Sequence, residues 1–189
     1  MRIMFRKILL AVSLIISCTA VLKSQTTGNC VIDVIMSGYS PRMFTADPVS
    51  DQHLDLILKC GIKAPSASNR QPWKFTVVKD TTLMGEAIKG TVPGNILIFV
   101  SRPEENQRAD IDCALTTQSM FVAAQGLGLG ARIYTGPVSN VNTNLKEKLG
   151  IPEGYQVATI LRIGHMDKSV DAISAATPRK PIEEVVNYK

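Results

Sequence analysis

The sequence predicts an α+β domain in which strands are separated by helices. Three observations carry this prediction. Residues 95–101 (NILIFVS) form a continuous apolar run of strand length, the pattern of a strand buried on both faces. Residues from about 106 to 127 hold the longest helical pattern, and their middle, 114–124, is dense in small and apolar residues. Residues 156–164 (QVATILRIG) read as a further strand, and shorter helical stretches lie between these segments.

Taken in order, residues 19–38 show no clear period and read as a linker or irregular arm. The first convincing helix opens at 48–50. Ser50 is a suitable cap, Asp51 favours the positive end, and Leu54, Ile57, Leu58, Gly61 and Ile62 recur at helical spacing. Pro65 ends it. Residues 73–78 read as a strand and 81–89 as a short helix. After the long helix, Gly126, Gly128 and Gly130 release the chain into a short strand at 131–134. A helix at 139–149 is closed by Gly150 and Pro152. Residues 166–189 are polar, contain proline and have little periodicity.

The 189 residues suit one domain with appendages, and 45% apolar content is enough for a core. Four cysteines exclude a disulfide-dense scaffold. The net charge of +5 invites a nucleic-acid reading, but part of it sits at the front. In residues 1–17 (MRIMFRKILLAVSLIIS), Arg2, Arg6 and Lys7 precede a short apolar run, as in an export signal. The run is too short for a comfortable bilayer span. A buried N-terminal helix is the structural alternative. Two cleavage readings compete. Residues 15–18 (IISC) resemble a bacterial lipoprotein box with Cys18 lipidated; ordinary cleavage would fall after Ala20 or near Ser24. Without residues 1–17 the chain holds 18 basic against 16 acidic residues. No Lys/Arg block remains and aromatics are 5%, so no nucleic-acid partner is expected. The expected organisation is a signal peptide at 1–17, a linker at 18–37 and one domain at 38–189. The expected location is outside the cytoplasm, either as a membrane-anchored lipoprotein or in the periplasm.

Cysteines at 18, 30, 60 and 113 have no metal-ligand spacing, and only His53 and His165 could join them, so no metal is expected. Cys60 and Cys113 lie in helical patterns and read as buried small residues. Residues 126–130 (GLGLG) end a helix instead of linking a strand to one, which does not suit a phosphate loop. No hydrolytic set stands out, so an enzyme of this sequence would rely on a cofactor for its chemistry.

Residues 64–73 (APSASNRQPW) carry the most information. Turn chemistry explains Pro65, Ser66, Ser68 and Asn69 singly, but less well their conjunction with an amide pair and Pro-Trp before a strand. Here the chain resembles the nitroreductase family of FMN-dependent oxidoreductases, whose segment is close to A-P-S-x-x-N-x-Q-P-W. Residues 40–44 (SPRMF), 112–130 (DCALTTQSMFVAAQGLGLG), 151–155 (IPEGY) and 178–186 (PRKPIEEVV) resemble further family blocks, in order. The resemblance covers about 38–189.

It implies a central, mainly antiparallel sheet flanked by helices, and a homodimer with FMN at its interface. It places Ser40 near the cofactor phosphate and Arg42 near the flavin N1/C2 edge, where reduction adds negative charge that a fixed cation stabilises. Pro65, Ser66 and Asn69 match the loop lining the cofactor, with Gln71 supporting it. Thr135 and Gly136 match the stretch facing flavin N5. Arg179 and Lys180 match a phosphate clamp. Trp73 reads as core packing. The chain departs from the family at Gly38 and Tyr39, where two basic residues are usual, and only about 30 residues separate Lys79 from Asp110, where larger members insert covering helices.

The implied activity is ping-pong hydride transfer through flavin N5, from a small-molecule donor to a nitroaromatic, quinone or similar acceptor, with no essential protein acid or base. Export puts the family's usual donor, NAD(P)H, in question. The rival from another class is a non-catalytic flavin-binding or interaction lipoprotein with the same fold. A third reading is a specialised branch such as reductive dehalogenation or flavin fragmentation.

Overall fold

A computed structural model describes residues 28–169 and 179–189. The expected export signal and Cys18 lie outside the described residues. The chain divides into two compact units, residues 1–37 and 38–189.

In the first unit the described residues form helix α1 (Cys30–Ser37), where the sequence reading expected an irregular arm. Asn29 caps it: its Oδ1 accepts from the amides of Val31 and Ile32 at 3.1 and 3.4 Å. The helix is only eight residues long, little more than two turns, so Asp33 and Ser37 on one face are too short a pattern to stand out in the sequence.

The second unit holds α2 (Asp51–Ile62), β1 (Lys74–Val78), α3 (Thr81–Ala87), β2 (Ile96–Pro103), α4 (Ala109–Gly126), β3 (Gly130–Tyr134), α5 (Val138–Asn140) and β4 (Tyr155–Gly164). The four strands form one sheet in the order β1-β2-β4-β3, and every neighbouring pair is antiparallel. β2 and β4 are therefore central, which is why both are almost wholly buried. A bulge near Val100 and Ser101 leaves Ala158 without a register partner on β2.

Helices α2 and α4 cover one face. Leu54, Ile57 and Gly61 of α2 form the buried stripe expected from their spacing, and Ser50 caps the helix by accepting from the amide of His53 at 3.2 Å. Gly61 is where the two helices cross: a Cβ there would stand 2.7 Å from Met120 Cγ, and Thr116 Oγ1 donates to the Gly61 carbonyl at 2.7 Å. Cys60 lies off this stripe and is exposed, correcting the expectation that it is buried; Cys113 is buried as expected. The opposite face packs against α3 and the turn after α5, around Met84, Leu97, Phe99, Val141 and Ile160.

The expected helix at 139–149 is shorter than the pattern suggested. After α5 the chain makes one π-helical turn, Val141–Leu145. The side chain of Asn142 meets the backbone of Val157 twice, donating to its carbonyl at 2.9 Å and accepting from its amide at 2.8 Å. The turn is thus tied to the start of β4, and the segment that follows closes at Gly150 in a left-handed conformation (φ 72°).

Candidate active site

The loop between α2 and β1 is anchored at both ends by buried residues, Ala64 and Trp73. Trp73 stacks on Phe75, with centroids 6.5 Å apart, and serves the core as expected. Between these anchors the chain makes a single turn, Ala67–Asn69. Ser68, Asn69 and Gln71 all adopt left-handed backbone angles, with φ of 53°, 53° and 47°. Non-glycine residues held this way cost about 1–3 kcal/mol each and concentrate at functional sites.

The surrounding bonds explain how the strain is held. The Asn69 amide donates to the Ser66 carbonyl at 2.9 Å, and the Gln71 amide donates to Ser66 Oγ at 2.9 Å. Gln71 Nε2 donates to Asn69 Oδ1 at 3.1 Å. The amide of Ala67 donates to Asp112 Oδ1 at 3.0 Å. Ser66, Asn69 and Gln71 therefore form one unit, with Pro65 at its exposed rim. Asp112, buried in the first turn of α4, was not singled out as a site residue from the sequence. The available signal was its place as the first residue of the central-helix block 112–130.

A second candidate stretch runs along the β3–β4 side. Pro41 and Phe44 turn inward while Ser40 and Arg42 stay exposed. Phe44 bridges to Met166, the Thr45 amide donates to the His165 carbonyl at 2.9 Å, and the Asp167 amide donates to the Met43 carbonyl at 3.2 Å. Gln125 near the end of α4 donates to the Tyr39 carbonyl at 2.7 Å. The segment is thus pinned by its backbone to residues 165–167, just beyond the end of β4.

Thr135 and Gly136 follow β3 and are exposed. A Cβ added at Gly136 would meet nothing within 4 Å, so the backbone there is open to a flat group. Arg179 and Lys180 are exposed, and Lys180 pairs with Glu184 at 3.7 Å across the turn Ile182–Glu184. The structure therefore gathers Ser66, Asn69 and Gln71 in one loop, and Ser40 and Arg42 on one edge. Helix α4 holds both stretches, through Asp112 and Gln125.

Cys113 lies near the loop anchor but is no nucleophile. Burial pushes its thiol up to about 12, with Asp110 and Asp112 adding to the effect. What the candidate residues offer is recognition: a hydroxyl and a guanidinium, two amides that both donate and accept, and an open backbone.

Comparison with known proteins gives this arrangement a family. The profile of the Nitroreductase family matches residues 35–95 and 84–165. The chain is 28% identical over 183 residues to an NADPH-flavin oxidoreductase of Vibrio harveyi, covering 84% of this chain and 73% of that protein. Its fold is similar to that of a nitroreductase with bound FMN from Desulfitobacterium hafniense (TM-score 0.70, 26% identity, 85% of this chain and 98% of the other). It is also similar to that of a nitroreductase with bound FMN from Bacteroides fragilis (TM-score 0.72, 20% identity, 85% and 99%). The antiparallel sheet flanked by helices, the strained loop before β1 and the matched profile agree, and the chain belongs to the nitroreductase family.

Proposed function

We propose that this protein is an FMN-dependent oxidoreductase that works as a homodimer, with the flavin held between subunits. The carrying observation is the loop 66–71, where three non-glycine residues are kept in left-handed geometry around polar side chains. The donor set suits the cofactor. Ser40, Arg42, Arg179 and Lys180 match a phosphate and the negative charge that reduction places on the flavin. Ser66, Asn69 and Gln71, with alternating donors and acceptors, match the polar edge of its ring system. Gly136 leaves room for a planar group. When bound, FMN supplies two-electron transfer, from a reduced donor to a nitroaromatic, quinone or similar acceptor in separate half-reactions. The chain's part is to bind, orient and hold positive charge near the ring.

The spacing of the two stretches is consistent with a site completed by a second copy. Their anchors on α4, Asp112 and Gln125, stand about 20 Å apart at helical rise. A partner subunit can bring its own loop beside the Ser40–Arg42 edge. Apolar side chains left exposed on the packed helices α2 and α4, including Ile62 at 52% and Ile111 at 69%, support such an interface.

The finer reading is an exported protein, lipidated at Cys18 or released to the periplasm, for which export puts the family's usual donor, NAD(P)H, in question. The basic–apolar segment at 1–17 supports it. Labelling with palmitate tests the anchor: label that depends on Cys18 supports it, and label that survives Cys18→Ala overturns it. A non-catalytic flavin-binding role is favoured by one observation. Tyr39, where the family is usually basic, is committed to structure, its carbonyl to Gln125 and its hydroxyl to Met166 Sδ at 3.5 Å. One spectrum decides between the two. A yellow protein that takes up FMN and bleaches when a donor is added is the expected result. Bound flavin that neither NADPH, quinols nor dithionite reduces would establish the non-catalytic role, and failure to bind FMN would sink both.

A further inference from the structure

Strand β4 carries a cation among aliphatic neighbours. Arg162 lies on the sheet face of Leu97 and Ile160 and is 3% exposed. Its register partner on β3 is a second cation, Arg132. Burial lowers the Arg162 pKa, Tyr134 opposes this, and Arg132 adds to it. Among the described residues no carboxylate pairs with Arg162. Its bonds go to neutral groups: Nε donates to Asn95 Oδ1 at 2.8 Å, and Nη2 to the Gly90 carbonyl at 2.9 Å. Among the described residues, Asn95 Nδ2 is buried without a hydrogen-bond partner. A leucine would extend this face without burying a charge, so packing alone does not account for the arginine.

What it touches does. The guanidinium lies over the Phe44 ring, 4.1 Å from its centroid. The ring is seated on two glycines: a Cβ at Gly130 would stand 3.0 Å from Phe44 Cε1, and one at Gly164 would stand 2.9 Å from Phe44 Cδ1. Phe44, with Pro41, is an inward residue of the segment that carries Ser40 and Arg42. Tyr134, beside Arg162, immediately precedes Thr135 and Gly136. One buried cation therefore adjoins both the pinned edge and the end of β3.

We propose that Arg162 is a positioning residue: by clamping the Phe44 ring and abutting Tyr134, it fixes the Ser40–Arg42 edge relative to Thr135–Gly136 and so sets flavin affinity. The inference rests on the flavin reading of the site. A planar fork stacked on a ring is directional, and lysine does not reproduce it.

The test uses the full chain with Arg162→Met, Arg162→Lys, Phe44→Leu and the Arg162→Met/Phe44→Leu double variant. The first readout is FMN affinity by quenching of flavin fluorescence. The second, without flavin, is exchange of single amides followed by NMR. Arg162→Met and Phe44→Leu are each expected to weaken FMN binding about tenfold, with the double variant no worse than the weaker single one and Arg162→Lys restoring only part. The Thr45 and Asp167 amides, which pin the segment, should exchange faster while those of Ile98 and Leu161 do not. Unchanged affinity, additive losses or a uniform rise in exchange would overturn the proposal. If Arg162→Met does not fold, Arg162→Lys and Phe44→Leu carry the same comparison. A wild-type chain that binds no FMN ends the flavin reading and with it the role in affinity; the exchange pattern then judges the clamp on Phe44 by itself.

Discussion

The two faces of the sheet are made from the same strands and are built differently. The face under α2 and α4 is apolar where it is central, and its buried polar groups are paired. Thr117 and Thr159 share a hydrogen bond at 2.6 Å, Thr117 Oγ1 also lies 2.7 Å from the Cys113 carbonyl, and Thr116 reaches the Gly61 carbonyl. The face under α3 has an equally dense apolar centre, but its upper row holds Arg162 beside Arg132 and an Asn95 amide with an unpartnered nitrogen. The first arrangement is what stability alone selects. The second accepts buried polarity, with Arg162 and Asn95 near the segment that presents Ser40 and Arg42 and, among the described residues, an unpartnered Ser101 hydroxyl at the other end of β2.

The sharpest break of this contrast would come from the apolar centres, where the two faces are expected to behave alike. Ile98 and Phe99 are adjacent, fully buried and on opposite faces. Ile98→Ala and Phe99→Ala should each cost about 3–4 kcal/mol in denaturant unfolding. A small cost for either would show that its face is loosely packed.

The paired hydroxyls give the next effect in size. Thr117→Val alone strands the Thr159 hydroxyl and should cost about 1–2 kcal/mol, whereas adding Thr159→Val should return most of it. Additive losses in this cycle would mean that the pair contributes more than mutual satisfaction.

Cys113 tests the same face by reactivity and pH. Its thiol, held near 12 against an ordinary value of 9.0, ionises more readily in the unfolded chain. It should contribute stability that is present below pH 9 and lost as pH rises towards 12, and Cys113→Ala should flatten that alkaline loss. Iodoacetamide should label the exposed Cys30 and Cys60 in the folded protein and reach Cys113 only after denaturation. Labelling of native Cys113 would show that α4 opens readily.

The smallest effect belongs to the surface of the α3 face. Lys148 pairs with Glu86 at 2.5 Å, yet both side chains are partly solvated. Lys148→Ala should change stability by about 0–1 kcal/mol and less at high salt. A larger loss would place this pair among the elements that hold α3 to the sheet.

Much of the fold was legible because its signals are local. The apolar run of β2 reads as a strand buried on both faces because it is one. The Ser50 cap and the Leu54–Ile57–Gly61 spacing mark α2 directly. Helix α1 was missed because eight residues give little more than two turns of pattern, and the exposure of Cys60 was missed because the usual burial of cysteine was given more weight than its place off the Leu54–Ile57–Gly61 stripe. The π-helical turn depends on Asn142 meeting Val157, a contact between distant positions. At the candidate site, the loop 64–73 was conspicuous as a local cluster. Asp112, Gln125 and Arg162 act across the fold on residues 45, 86 and 118 positions away, and nothing in their immediate neighbours announces this.

Helix α4 also sets a rule for insertions and deletions. It grips the strained loop through Asp112 and the Tyr39 segment through Gln125, so it fixes an angle as well as a length between them. One residue inserted between these positions would rotate one grip by about 100° relative to the other, and four would nearly restore the angle but lengthen the helix by about 6 Å. Length variation should therefore be tolerated in the turns on either side of this helix and rejected within it.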